Sequence, residues 1–308
     1  MLKIFKVASL AGVIFLAQSQ VQAATCSCAG APLANGINIG DFEAGRTGVT
    51  LSLVNSDISD LVEGSRTIND ETGRSRDTES YILKTTYGFN DHWAFTGIIS
   101  YINHSRNIAI SNTADEESSG VGDSLFLVSY APQKIDPFTR DEWAVGVGLR
   151  APTGENDNGE PIRFAEDLQP GQGAWGYSLW FHYAHAFNQQ ADLVYYIDGN
   201  YSSVNSNDRE YSFEDEWTLT TGLSYSLNAE WSTNWSLNYR DASPHTRFSG
   251  EIPNTGGWWL DLSPSISYSL NPESTISLSG TIPLARDLEG TLQFTTKNSF
   301  ALSYTHLF

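Results

Sequence analysis

The sequence predicts an all-β protein, an antiparallel up-and-down transmembrane β-barrel of about 12 strands. Three observations carry this. Apolar and polar residues alternate in long runs through most of the chain, as in strands whose successive side chains face opposite sides. An Asn-centred turn recurs between the runs. The chain also opens with an export signal, yet contains no later apolar run of about 18 residues, the length a helical span requires. In lipid, only a closed barrel then satisfies every backbone group.

Residues 1–24 read as a secretory signal peptide. Lys3 and Lys6 make a positive start, residues 7–17 form a short apolar run, and Val21-Gln22-Ala23 supplies small residues for cleavage. Its removal leaves 15 basic against 36 acidic residues, a net −21, which argues against nucleic acid as a partner. Only 17% of residues are charged while 12% are aromatic, unlike an average soluble domain. The mean hydropathy of −0.29 is that of a soluble chain, as expected where an apolar outer face and a polar lumen cancel.

Residues 25–45 are rich in Gly and Ala without a clear period, and are expected to form a periplasmic segment leading into a barrel over residues 46–308. This segment holds both cysteines, Cys26 and Cys28. A bond across Cys-Ser-Cys closes a strained ring; free thiols, such a disulfide and pairing with a partner are all open. Two cysteines alone make a poor metal site.

Beyond residue 45 the chain repeats. Asn follows an apolar residue in Phe89-Asn90, Phe187-Asn188, Leu227-Asn228 and Leu270-Asn271, the last three 40 and 43 residues apart. Asn suits tight turns because it tolerates the left-handed region and bonds its own backbone. Propeller blades share such a period, but a blade holds four short strands and each repeat here holds two long ones. Strands are expected near 47–56, 78–89, 93–104, 120–131, 142–151, 173–186, 191–203, 214–227, 231–241, 257–270, 275–284 and 296–308. The run at Leu125-Phe126-Leu127-Val128 hides its phase, and residues 133–141 make one turn longer than the rest; ten or fourteen strands are also compatible. The longer loops, near 57–77, 105–119, 152–172, 204–213, 242–256 and 285–295, face outward and are acidic at Asp57, Asp60, Glu63, Asp70, Glu71, Asp115, Glu116 and Glu117.

Aromatic rings gather at run ends: Trp93, Trp143, Trp175, Trp217, Trp231, Trp258 and the terminal Phe308. Two membrane-interface girdles produce this distribution, whereas a sandwich core places rings mid-strand. In the last run Phe300, Leu302, Tyr304, His306 and Phe308 share one face, against Ser299, Ala301, Ser303, Thr305 and Leu307. An alternating final strand ending on Phe resembles that of outer-membrane β-barrel proteins. The resemblance implies a partner, the barrel-assembly machinery, read through Phe308, with outer-membrane lipid around the wall. His306 stands where many members carry Tyr or an apolar residue.

Candidate chemistry is sparse. Asn103-His104-Ser105 is similar to the His and Ser of an outer-membrane phospholipase, but neighbouring strand residues face opposite sides, and no third group of that family follows. His182 and His185 also differ in parity and make no same-face metal pair. Glu155-Asn156-Asp157-Asn158-Gly159-Glu160 is a carboxylate-rich tip without the spacing of a calcium loop. No catalytic residue, metal or cofactor is assigned. What remains is the lumen, where inward parity collects Lys84, Arg150, His182, Asp192, Asp198, Arg240 and Asp261. Opposed charges either select solutes or plug the pore by pairing.

Gly120-Val121-Gly122-Asp123-Ser124-Leu125, followed by Val145-Gly146-Val147-Gly148-Leu149-Arg150-Ala151-Pro152-Thr153-Gly154-Glu155, resembles the outer-membrane transport family named after the meta-pathway of phenol degradation, whose members share a G-x-G-D strand and a later hydrophobic-P-T-G strand end. The resemblance implies a channel-like protein of the bacterial outer membrane for passive passage of small organic or aromatic solutes. An outer-membrane enzyme acting on lipid and a non-conducting structural barrel are the alternatives.

Overall fold

The computed structural model describes residues 44–308, apart from 72, 109–114, 134, 136, 137, 139 and 160. The expected signal peptide, Cys26, Cys28 and nearly all of the 25–45 segment lie outside the described residues. Twelve long strands build the wall. They are β1 Thr47–Ile58, β2 Arg74–Gly88, β3 Trp93–Ile108, β4 in two parts (Glu116–Val121 and Ser124–Gln133), β5 Asp141–Ala151 and β6 Gly176–Ala186. The second half comprises β7 Leu193–Ser206, β8 Tyr211–Ser226, β9 Trp231–Ala242, β10 Gly257–Asn271, β11 Ser274–Thr295 and β12 Asn298–Leu307.

Each strand pairs antiparallel with the next, and β12 returns to pair with β1, in register from Gly48–Leu307 to Asp57–Asn298. The wall therefore has no open edge, which is the condition for strands to cross lipid. Along the seam the inward hydroxyls meet each other: Thr50 and Thr305 at 3.0 Å, Ser52 and Ser303 at 2.8 Å, Ser56 and Ser299 at 3.0 Å. Such cross-strand pairs satisfy groups that the barrel buries. On the outer face of the same seam Leu302 sits between Leu53 and Leu278, all three exposed.

Alternation is plain along most of the wall. In β9, Trp235, Leu237 and Tyr239 are exposed on the outside, while Asn234, Ser236, Asn238 and Arg240 are buried within. The lumen wall is not wholly polar: Val54, Ile82, Ile98, Ile102, Leu125 and Ala301 form a buried apolar cluster. The Asn turns close one end of the barrel by the expected local chemistry. Asn90 Oδ1 accepts the amides of His92 and Trp93 at 2.9 and 3.0 Å, and Asn228 Oδ1 those of Glu230 and Trp231, both at 2.9 Å. Asn188 and Asn271 each accept one amide in the same way, at 2.9 and 3.0 Å.

Exposed and half-buried rings pair in two belts. Trp93 with Tyr130 (4.8 Å) and Trp231 with Tyr268 (4.7 Å) lie at the turn end, and Tyr201 with Trp217 (4.6 Å) and Tyr239 with Trp258 (6.1 Å) at the loop end. Trp143 and Trp175 are likewise exposed, and Phe308 follows β12 with its amide on Thr47 O at 2.8 Å. His306 belongs to this belt, its ring 4.4 Å from that of Phe308.

Residues 285–295 are not the loop expected. β11 continues to Thr295 because its far end gains a partner: Gln293, Phe294 and Thr295 pair with Val62, Leu61 and Asp60 of the short strand Asp60–Gly64. The expected acidic loops are in part ion-paired, with Arg66 on Glu63 at 2.8 Å, Arg74 on Asp70 at 3.2 Å, and Arg286 on Asp60.

Leu302→Arg places a charge on the lipid face of the seam. It is expected to destabilise the barrel by about 2–4 kcal/mol if that site lies at the bilayer midplane. Urea unfolding in lipid vesicles measures this.

Candidate functional site

The hidden phase at 125–128 has a structural cause. Between the pairs Tyr101–Val121 and Ile98–Leu125, β3 has two residues where β4 has three. This one-residue bulge reverses the parity of β4: Ser118 and Gly120 face inward before it, Leu125, Leu127 and Ser129 after it. At the bulge the Asp123 carboxylate is buried in the lumen. Oδ1 accepts the Gly154 amide at 3.0 Å and Oδ2 the Gln172 amide at 2.9 Å. Ser124 donates its amide to Thr153 Oγ1 at 2.9 Å, and Glu155 donates its own to Val121 O at 2.8 Å. The G-x-G-D and P-T-G stretches thus meet in space. A Cβ on Gly154 would stand 2.7 Å from Gly171 Cα, so this crossing admits only glycine.

The loop so anchored, residues 152–175, runs into the barrel, and its Leu168, Gln169 and Gln172 are buried. It holds its own shape. Arg163 forks onto Glu166 with two bonds of 2.9 Å. Gln169 donates to Asn158 O and Phe164 O, both at 3.0 Å, and accepts the Asn158 amide at 2.9 Å. It also grips the wall. Arg76 of β2 donates to Asp167 O at 2.7 Å and to its carboxylate at 3.2 Å, while Asn207 donates to Gln172 O at 3.3 Å. The carboxylate-rich tip is engaged by the protein: Arg209 donates to Asp157 at 2.7 Å. Among the described residues no group of three or more His, Cys, Asp or Glu could hold a metal ion.

The sequence-derived lumen residues fall into three places. Lys84 is buried on the inner face of β2. His182 and Asp198 lie together on β6 and β7, Nδ1 to Oδ1 at 2.7 Å, with Glu142 3.6 Å from the other ring nitrogen. Arg150, Arg240 and Asp261 belong to a belt of alternating charge near the loop end. Arg150 lies in the fields of Asp123 and Glu216. Arg240 reaches Glu216 at 3.8 Å, stacks 3.7 Å over the Trp259 ring, and faces Asp261, which also faces Arg286. Asp192, by contrast, is a turn residue, its amide and carboxylate both bonded to Asn188.

The weighed histidines separate as parity requires. His104 is buried with Nδ1 2.9 Å from Thr78 Oγ1, and Ser105 lies on the opposite face. His185 bonds Asp141 on the outside at 2.8 Å. Sequence reasoning passed over Arg76, Arg106, Glu216 and Asp167. The first three have the inward parity of their strands and were open to the same count; Asp167 sits on an aperiodic loop with no such signal.

A closed wall of 12 strands, ringed by exposed aromatics and folded around a polar lumen, defines a transmembrane β-barrel. Residues 53–300 match the family described as "Putative MetA-pathway of phenol degradation", and the chain belongs to that family. No curated protein sequence matches it. Among solved structures it is similar to the COG4313 outer membrane channel from Pseudomonas putida F1, with a TM-score of 0.71 at 14% identity over 87% of this chain and 98% of that one. It also aligns with the P. putida toluene transporter TodX, with a TM-score of 0.46 at 10% identity over 86% of this chain and 90% of that one.

Asp123→Ala leaves two buried amides without their acceptor. It is expected to cost roughly 2–4 kcal/mol and to expose residues 152–175 to protease before the wall melts; limited proteolysis during a thermal ramp measures both. A second expectation concerns His245, in the loop after β9. It is buried, with Nδ1 2.6 Å from Tyr211 Oη, and burial lowers its pKa from 6.5 to about 4. The opened loop takes up a proton that the folded loop refuses, so the loop loses stability as pH falls from 6.5 toward 4, by about 3 kcal/mol at the low end. Hydrogen exchange of residues 243–256, corrected for intrinsic rate, is expected to rise across that window in the wild type and far less in His245→Asn.

Proposed function

We propose that the protein is a passive channel of the bacterial outer membrane for small organic solutes, aromatic compounds among them. The observation that carries this is the inward loop. A barrel serving only as an anchor has no use for a lumen lined with ordered charges and narrowed by a segment held at Asp123, Arg76 and Asn207. Fixed charges of both signs across a narrow passage create a transverse field that sorts solutes by dipole and charge. The aromatic belts support insertion in a bilayer. The family's description points to aromatic catabolism as the source of the solutes.

Refolded protein in planar bilayers is expected to give discrete ohmic steps, and shortening the loop between Gly154 and Gly171 to enlarge them severalfold. Bilayers that stay as tight as protein-free controls sink the channel reading in favour of a structural barrel.

A further inference from the structure

Three of the protein's 17 basic side chains line one cavity of about 290 Å³ at the loop end of the lumen. Its walls are Arg74, Ser75, Arg76, Arg106, Asp167, Ile58 and Phe294. Arg76 and Arg106 are direct cross-strand partners on the inner faces of β2 and β3. Like charges so placed repel, and one carboxylate bridges them. Asp167 of the lumen loop lies 3.2 Å from Arg76 and 3.7 Å from Arg106. Arg106 is backed by Glu116 at 2.6 Å, and Arg74 by Asp70 at 3.2 Å. Arg74 also lies 4.5 Å over the Phe294 ring, which with Ile58 forms an apolar side.

The arrangement is that of a bound carboxylate: an anion between two guanidinium groups, beside a flat apolar wall and empty space. The chain itself supplies the anion. We propose that this cavity binds small organic carboxylates, a single aromatic ring bearing one carboxylate fitting its two kinds of wall. The solute's carboxylate replaces that of Asp167 between Arg76 and Arg106, its ring lies against Phe294 and Ile58, and the lumen loop loses a hold on the wall. The solute thereby loosens the constriction it must pass. In a chain of net charge −19, which repels anions at long range, a cavity whose arginines can exchange the Asp167 carboxylate for that of a solute gives an anion a place to bind. The inference rests on the channel reading for the passage of the solute, not for its binding.

The test uses full-length protein refolded in detergent. Benzoate is the probe, with benzyl alcohol as the ring without the charge and acetate as the charge without the ring. Calorimetric titration is expected to show saturable benzoate binding, tighter than either fragment by about ten-fold or more. Arg76→Gln weakens it by a similar factor. Asp167→Asn, which keeps the loop's shape and removes the internal competitor, strengthens it several-fold. This second variant decides the matter should Arg76→Gln fail to show the heat-modifiable gel migration of a folded barrel. In planar bilayers benzoate raises wild-type conductance but not that of Asp167→Asn. Equal benzoate affinity in wild type and Asp167→Asn, or benzyl alcohol binding as tightly as benzoate, overturns the site. Conductance without saturable benzoate binding removes this inference and leaves the channel standing; Arg76-dependent binding without conductance does the reverse.

Discussion

Closure of β1 onto β12 is the constraint on which the rest depends. Away from water an unpaired amide or carbonyl costs several kcal/mol, so a sheet with two free edges has no stable place in lipid. Once Gly48–Leu307 and the pairs after it form, register follows around the whole wall. A slip of one residue anywhere would turn Leu53 or Trp235 inward and send Ser52 or Asn234 into lipid. The aromatic belts and the seam of paired hydroxyls are consequences of that single register.

The register breaks at several places, between Leu260 and Asp261 and between Tyr130 and Gln133 among them, and the break in β4 is the one that meets the inward loop. The extra residue at Gly122-Asp123 breaks β4 and aims a carboxylate into the lumen. That carboxylate captures the backbone of a loop that arrives after the next strand. Bulges reorient side chains at sites of this kind. The same device accounts for two glycine-rich stretches that look unrelated along the chain: Gly154 and Gly171 cross at backbone contact, and Asp123 bonds the neighbouring amides. In this chain the G-x-G-D and P-T-G residues thus hold a loop inside a barrel.

Electrostatics inside the wall is a matter of pairs. Asp198 with His182, Glu216 with Arg240, Asp60 with Arg286 and Asp167 with Arg76 each place opposite signs side by side. The large net negative charge is therefore a property of the outer surface and loops more than of the lumen. Removing one member of such a buried pair strands the other, at a cost larger than the pair's own net contribution. Charge in the lumen is thereby tied to the stability of the loop it holds.

Much of this was legible in the residues alone. The two-residue period, the Asn turns and the placement of Trp and Tyr are local properties, and a strand reports its two faces in its own sequence. Hence the closed antiparallel barrel of about 12 strands was readable. Asp192 misled because parity persists on paper past the end of a strand, whereas the chain turns at Asn188. Residues 285–295 misled because their strand depends on a partner, 60–64, that lies far away in sequence. The inward course of loop 152–175, and the meeting of Asp167 with Arg76 and Arg106, were decided by the tertiary structure alone. A loop has no period to declare its direction, and the arginines that hold it come from strands placed beside it only when the wall closes.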